Sequence, residues 1–206
     1  MVAVPSIPKM GEAVAKGQLV FVAPEECPQV TSRIRGARLQ SDMESLEWVD
    51  RHHWLAAQGW MELGNSHEAM AEFLLISPDA RETEPVLHLE WELLGGVKRW
   101  EEAVLVAQRM VESHPSNVTG WIHCSYGLHE LGRTEDARDN LLRGLPRFPT
   151  NPVLPYNLAC YEAQLGNLTS ARKWLGVAFA LPGAEELKQA ARKDPDLAPL
   201  KGDWLV

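Results

Sequence analysis

No run in the 206-residue sequence is long and apolar enough to span a bilayer. The amino terminus also lacks a cationic stretch followed by an apolar one, since Pro5, Pro8 and Lys9 interrupt it early. A membrane helix and a secretion signal are therefore not expected. Cysteine is scarce: Cys27, Cys124 and Cys160 are odd in number and share no metal-ligand or redox spacing. They read as free thiols in a reducing compartment, which points to the cytoplasm. Without a secretion signal, the glycosylation triplets at Asn117-Val118-Thr119 and Asn167-Leu168-Thr169 are read as accidental. Basic residues are outnumbered, 20 against 28 acidic, for a net charge of -8. Such a surface repels phosphate backbones and anionic lipid, so neither nucleic acid nor a membrane is an expected partner. There is no phosphate-binding glycine loop, nucleophile elbow, HExxH or paired-cysteine site, so no enzyme, cofactor or metal is expected. The adjacent pairs His52-His53 and His123-Cys124 do not change that, because neighbours on a helix project about 100 degrees apart.

What is present is the composition of a soluble globular protein, 45% hydrophobic and 23% charged, with eight tryptophans as its main departure from average usage. The sequence also resembles itself at a fixed offset. Ala69, Ala103, Ala137 and Ala171 lie 34 residues apart, each followed four positions on by an apolar residue: Phe73, Ala107, Leu141 and Leu175. Leu63-Gly64, Leu131-Gly132 and Leu165-Gly166 keep that register, as do Pro115 and Pro149, and Glu68, Glu102 and Asp136 immediately precede ladder alanines. Each unit reads as two helices around a glycine turn. In the third, Trp121, Cys124, Ser125 and Leu128 share a face, Gly132 ends the first helix, and Glu135 and Asp136 favour the start of the second near Thr134. Small residues at Ala57, Ser125 and Ala159 match the alanines and allow close crossing of paired helices, each hairpin relying on its neighbours for burial.

These residues, with the W-x2-L-G-x2-Y...A-x3-F...P pattern, resemble the tetratricopeptide repeat (TPR) family over about residues 50 to 185. The expected fold is all-α, a right-handed α-α superhelix of four TPR-like hairpins (about 50–83, 84–117, 118–151 and 152–185) within an array over 41–182. Repeat 2 departs most: Trp91 stands where a small residue is usual, Gly95-Gly96 falls early and Lys98 replaces the turn glycine, so its helices are expected to splay. In repeat 1, Pro78 stands three residues before the usual closing position, which predicts an irregular loop from Ser77 to Thr83. Residues 1–40 read as an extended, mildly basic arm, five basic against three acidic, with one apolar run from Gly17 to Ala23. Ser41 to Glu44 has capping-box spacing, which places the first helix start near Asp42, with Leu46, Val49, His53, Ala56, Trp60 and Leu63 on its apolar face. Residues 183–206 are expected to form a polar capping helix from Gly183 to Lys193 and a tail whose Leu197, Leu200 and Trp204 tuck against the last repeat. The Asp194 to Leu200 stretch is similar to the closing stretch of bacterial members.

The resemblance implies that the first helices of the hairpins line a concave groove. With the ladder alanine as position 20, groove positions 5 and 9 fall on Trp54, His88, Ile122 and Tyr156, and on Gln58, Glu92, Tyr126 and Cys160. Arg51 and His129 complete the candidate set, flanked by Met61, Glu62, Glu130, Ala163 and Gln164. Members that clamp a carboxy-terminal carboxylate use Lys, Arg and Asn there, and Arg51 alone is of that kind, which disfavours a cochaperone role. The expected function is a non-catalytic scaffold or adaptor binding a protein or peptide in the groove, through an apolar or mildly basic segment. The chain's own arm is a candidate occupant, since Val20-Phe21-Val22 is apolar and Arg33, Arg35 and Arg38 suit Glu92 or Glu130. Alternatives are a self-associating structural protein and a small acidic secretion-type chaperone.

Overall fold

The computed structural model describes residues 46–200. Among the described residues the chain forms helices and no strands, arranged as four antiparallel hairpins and a closing segment. The hairpins are α1 (Trp48–Glu62) with α2 (Ser66–Phe73), α3 (Glu84–Gly96) with α4 (Trp100–Ser113), α5 (Val118–Glu130) with α6 (Thr134–Gly144), and α7 (Val153–Gln164) with α8 (Leu168–Ala180). A short helix, α9 (Glu185–Ala191), and a 3-10 turn, Ala198–Leu200, follow. No described helix is long and apolar enough to cross a membrane. The arm, the Gly17 to Ala23 run, the Ser41 to Glu44 box and Trp204 lie outside the described residues.

The small-residue ladder sets the spacing of the stack. Ala69, Ala103, Ala137 and Ala171 are all fully buried, as are Ala57, Ser125 and Ala159 on the facing helices. Removing the side chain beyond Cβ at each crossing lets the paired axes approach. Leu141, Leu158 and Ile122 fill the space between crossings and are also fully buried. Each such residue contributes about 1.5–3 kcal/mol through burial. In the third hairpin, the buried amide of Asn140 donates to the Trp121 carbonyl at 3.1 Å and to Ser125 Oγ at 2.7 Å, so the polar groups at that crossing satisfy one another.

All four hairpin turns share one backbone device. Gly64, Lys98, Gly132 and Gly166 adopt left-handed φ values of 74°, 59°, 74° and 81°. The next residue in each case, Asn65, Arg99, Arg133 or Asn167, donates its N–H back to Trp60, Leu94, Leu128 or Glu162 at 2.8–2.9 Å. This is the Schellman closure, which satisfies carbonyls at the helix end. The turn of the second hairpin closes like the others: Lys98 accepts the left-handed conformation and both turn hydrogen bonds form. Gly95 has a different task, because a Cβ there would sit 3.1 Å from the Trp100 ring. It gives that ring room beside Trp91, with the two centroids 6.4 Å apart.

The first hairpin departs further from expectation. Helix α1 begins at Trp48, after Glu47 in an extended conformation (φ -58°, ψ 153°), and not near Asp42. It buries Asp50, Trp54 and Ala57, while Val49 and Leu63 of the expected apolar face stay exposed. Ala57 is the crossing residue, and it rotates that side of the helix inward. Asp50 is buried because its carboxylate accepts from the Ser77 N–H and from Ser77 Oγ, both at 2.7 Å. That pair orders the Ser77 to Thr83 link, which contains the 3-10 turn Ala80–Glu82. Arg81 also donates to the carbonyls of Ile76 and Leu74 at 2.9 and 2.7 Å, closing the end of α2.

At the other end, α9 is two residues shorter at each end than the expected helix. Leu187, Leu197 and Leu200 are buried, as expected of a cap on an open repeat end. The triplet at Asn117 has a local reason: its side chain accepts from the Thr119 N–H at 2.9 Å and starts α5.

Candidate functional site

Burial divides the ten candidate residues into four that form part of the core and six that reach the surface. Trp54, Ile122, Tyr156 and Cys160 are buried at 2%, 0%, 2% and 4% exposure. Trp54 Nε1 donates to the Pro85 carbonyl at 3.1 Å and joins the first hairpin to the second. Arg51, Gln58, His88, Glu92, Tyr126 and His129 are partly exposed. Arg51 donates to the Leu46 carbonyl at 2.9 Å, so its guanidinium is tied to the chain just before α1.

Between α3 and α5 lies a layer of rings. Trp91 stacks on His123 with centroids 3.6 Å apart and planes 2° from parallel. His88 Nδ1 and His123 Nε2 are 3.0 Å apart, and His88 Nε2 lies 3.4 Å from Glu92 Oε1. One imidazole nitrogen of that close pair must donate and the other accept, which fixes the ring orientations relative to one another. Tyr126 meets both Trp91 and Trp100 edge to face, at 6.1 and 5.5 Å. Such edge-to-face contacts hold the Tyr126 ring in place while leaving the residue partly exposed. The result is a rigid aromatic shelf edged by the Glu92 carboxylate.

Beyond α5 the same face is covered by the chain itself. Tyr156 Oη donates to Asp194 Oδ2 at 2.6 Å, and Gln164 Nε2 donates to the Asp196 carbonyl at 2.9 Å. Asp194 Oδ1 accepts from the Asp196 N–H at 2.9 Å, closing a tight turn that lies over α7. His129 Nε2 sits 3.5 Å from Asp196 Oδ2, and its ring lies 5.0 Å from that of Tyr161. Burial raises the Tyr156 hydroxyl above the usual tyrosine range, and the nearby Cys160 and Asp194 add to it. Asp194 is likewise pushed up by burial, with the hydrogen bonds from Tyr156 and the Asp196 backbone pulling back. Groove positions 5 and 9 of the fourth hairpin are thus engaged by the C-terminal turn.

Sequence reasoning missed His123, Trp91 and Trp100 as parts of the shelf, because His123 was weighed only with Cys124 as a metal pair, Trp91 only as a departure from the repeat and Trp100 only as a packing position. It also missed the turn, although a signal was present: 34 residues after Cys160 the position-9 ladder of Gln58, Glu92, Tyr126 and Cys160 arrives at Asp194. The turn therefore stands where a fifth hairpin would continue the groove. A separate depression at the loop edge, bordered by Glu84, Asn117, Arg147 and Asn151, lies away from this face and brings together none of the ten candidates.

No family model matches the chain, and no curated protein matches it in sequence. Solved structures do match. MamA of MSR-1 aligns with a TM-score of 0.56 at 16% identity, over 72% of this chain and 90% of that one. MamA of AMB-1 gives 0.55 at 17% identity, over 77% and 91%. MamA 41-end from Desulfovibrio magneticus RS-1 gives 0.55 at 12%, over 77% and 94%. MamA is TPR-like, and at these identities the likeness is one of fold: the described chain is a TPR-like stack of helical hairpins.

Proposed function

We propose that this chain is a non-catalytic protein-interaction scaffold, and that it receives a protein segment on the shelf formed by Gln58, His88, Glu92 and Tyr126. The observation that carries this reading is the contrast between the two halves of the groove. The α7 half is filled by the chain's own turn, while the α3 and α5 half presents partly exposed aromatic and acidic groups on a rigid floor of Trp54, Ile122 and Trp91. Pre-organised rings bind with little loss of side-chain freedom, which favours an apolar segment as occupant. The acidic edge of Glu92 and Glu130 favours a basic residue at the flank of that segment. The chain's own arm satisfies both conditions. The cytoplasm suits the free, buried thiols of Cys124 and Cys160.

The test is capture of the partner by the full chain, compared with Tyr126→Ala and Glu92→Lys. Each variant should lower affinity by at least tenfold while leaving the helical circular dichroism unchanged, because both residues are partly exposed. Unaltered capture by both would place the interaction elsewhere. A second reading, self-association at the open edge of the stack, has its own support. Trp48, Val49 and Leu55 on α1 are 74%, 55% and 45% exposed. Light scattering over a concentration series separates the two readings, since a monomer at every concentration excludes the second.

A further inference from the structure

The C-terminal turn brings a chemically distinct group together. Cys160, Asp194 and Asp196 are 4%, 1% and 6% exposed, and one ligand atom from each lies within 4.8 Å of the others. Two buried carboxylates side by side need compensating positive charge. Among the described residues no lysine or arginine pairs with either one. Asp194 is hydrogen-bonded through both oxygens, whereas Asp196 Oδ2 is buried and accepts no hydrogen bond. His129 stands 3.5 Å from that oxygen.

We propose that these residues form a site for one divalent ion of the zinc type, with Cys160 Sγ and the carboxylates of Asp194 and Asp196 as ligands and His129 beside them. The spacing suits the chemistry. Cys160 Sγ and Asp194 Oδ2 are 3.7 Å apart. A tetrahedral ion with bonds of about 2.3 Å to sulfur and about 2.0 Å to oxygen places such atoms roughly 3.5 Å apart. A thiolate combined with carboxylates selects a borderline ion over magnesium or calcium, which take all-oxygen shells. The remaining contacts act as an outer shell: Tyr156 Oη and the Asp196 N–H hold the Asp194 carboxylate in orientation, and His129 Nε2 lies 3.5 Å from Asp196 Oδ2. Binding releases the Cys160 thiol proton to solvent and supplies the positive charge the carboxylates lack. The ion would clip the turn onto α7, so the site is structural and independent of what occupies the shelf.

The experiment uses the full chain, first stripped with a chelator. Cobalt(II) should titrate to one equivalent and produce a thiolate-to-metal charge-transfer band in the near ultraviolet. Zinc(II) should displace it and raise Tm by about 5 °C or more at a hundredfold excess over Kd. Cys160→Ala should abolish the band. Asp196→Asn, which keeps the shape of the side chain, should weaken binding at least tenfold, and Tyr156→Phe should keep the band. The absence of a band and of any Tm shift in the unsubstituted chain overturns the proposal. So does a band that persists undiminished in Cys160→Ala, since it would belong to another thiol. If Cys160→Ala does not fold, undiminished binding by Asp196→Asn has the same consequence.

Discussion

Lys98→Gly should stabilise the protein, although it deletes a whole side chain. Lys98 is exposed and holds φ at 59°, in the turn position that Gly64, Gly132 and Gly166 occupy in the other hairpins. A residue with a Cβ in that conformation is strained by about 1–2 kcal/mol. Glycine removes the strain, and its greater freedom in the unfolded chain returns about 0.4–1 kcal/mol. The net gain should be about 0.5–1 kcal/mol, corresponding to a Tm rise of about 1–4 °C for a chain of this size. Gly132→Ala is the mirror experiment. It finds no neighbouring atom within 4 Å of the new Cβ, so its cost comes from the backbone alone and should be about 1 kcal/mol. Urea denaturation of the two variants and the parent, followed by circular dichroism, measures both effects. A destabilised Lys98→Gly beside a neutral Gly132→Ala would show that the turns do not share the left-handed closure, and the reasoning would fail.

Three further outcomes follow from the packing. In Gly144→Ala the new Cβ would come within 2.8 Å of the buried Trp121 ring. The change should destabilise by about 1–2 kcal/mol even after alanine's helix preference is credited, as read by thermal melts. Asp50→Ala leaves the Ser77 N–H and hydroxyl without their acceptor and should cost about 2–3 kcal/mol, with faster proteolysis between Ser77 and Thr83 as an independent readout. Burial pushes the Cys124 thiol from the ordinary value of 9.0 up to about 11, with Arg143 and Arg133 opposing. A folded pKa above the unfolded one means that stability is fully present below pH 9 and falls as pH rises towards 11. Cys124→Ala should therefore remove roughly 2–3 kcal/mol of alkaline destabilisation, measured as a flatter stability curve across that interval.

The hairpins were legible because their determinants are local and periodic. Ala69, Ala103, Ala137 and Ala171 mark crossings, and Gly64, Gly132 and Gly166 mark turns, whatever surrounds them. The second hairpin was harder to read because Lys98 and Trp91 look like breaks in the pattern. Lys98 tolerates a strained φ at modest cost, and Trp91 finds the flat face of His123, a partner 32 residues away that no spacing rule supplies. The inward face of α1 was misread for a related reason. Asp50 is absent from the expected apolar face, and only Ser77, supplied by a later loop, makes its burial sensible.

The groove was legible as a set of positions and not as a surface. The register assigns the ten candidates to groove positions, yet burial divides them into buried and partly exposed residues, and that division depends on the neighbouring hairpin. For Tyr156 and Cys160 it depends on Asp194, which folds back from beyond the last hairpin.

A photo-crosslinking residue placed singly at Gln58, at Tyr126 and at Leu105, in cells that express the protein, tests the central claim most directly. Leu105 is 60% exposed on α4 and serves as the outward-facing control. The scaffold reading predicts one protein adduct, or an intramolecular crosslink to the chain's own arm, from the Gln58 and Tyr126 sites and none from Leu105. Adducts from Leu105 alone would contradict it.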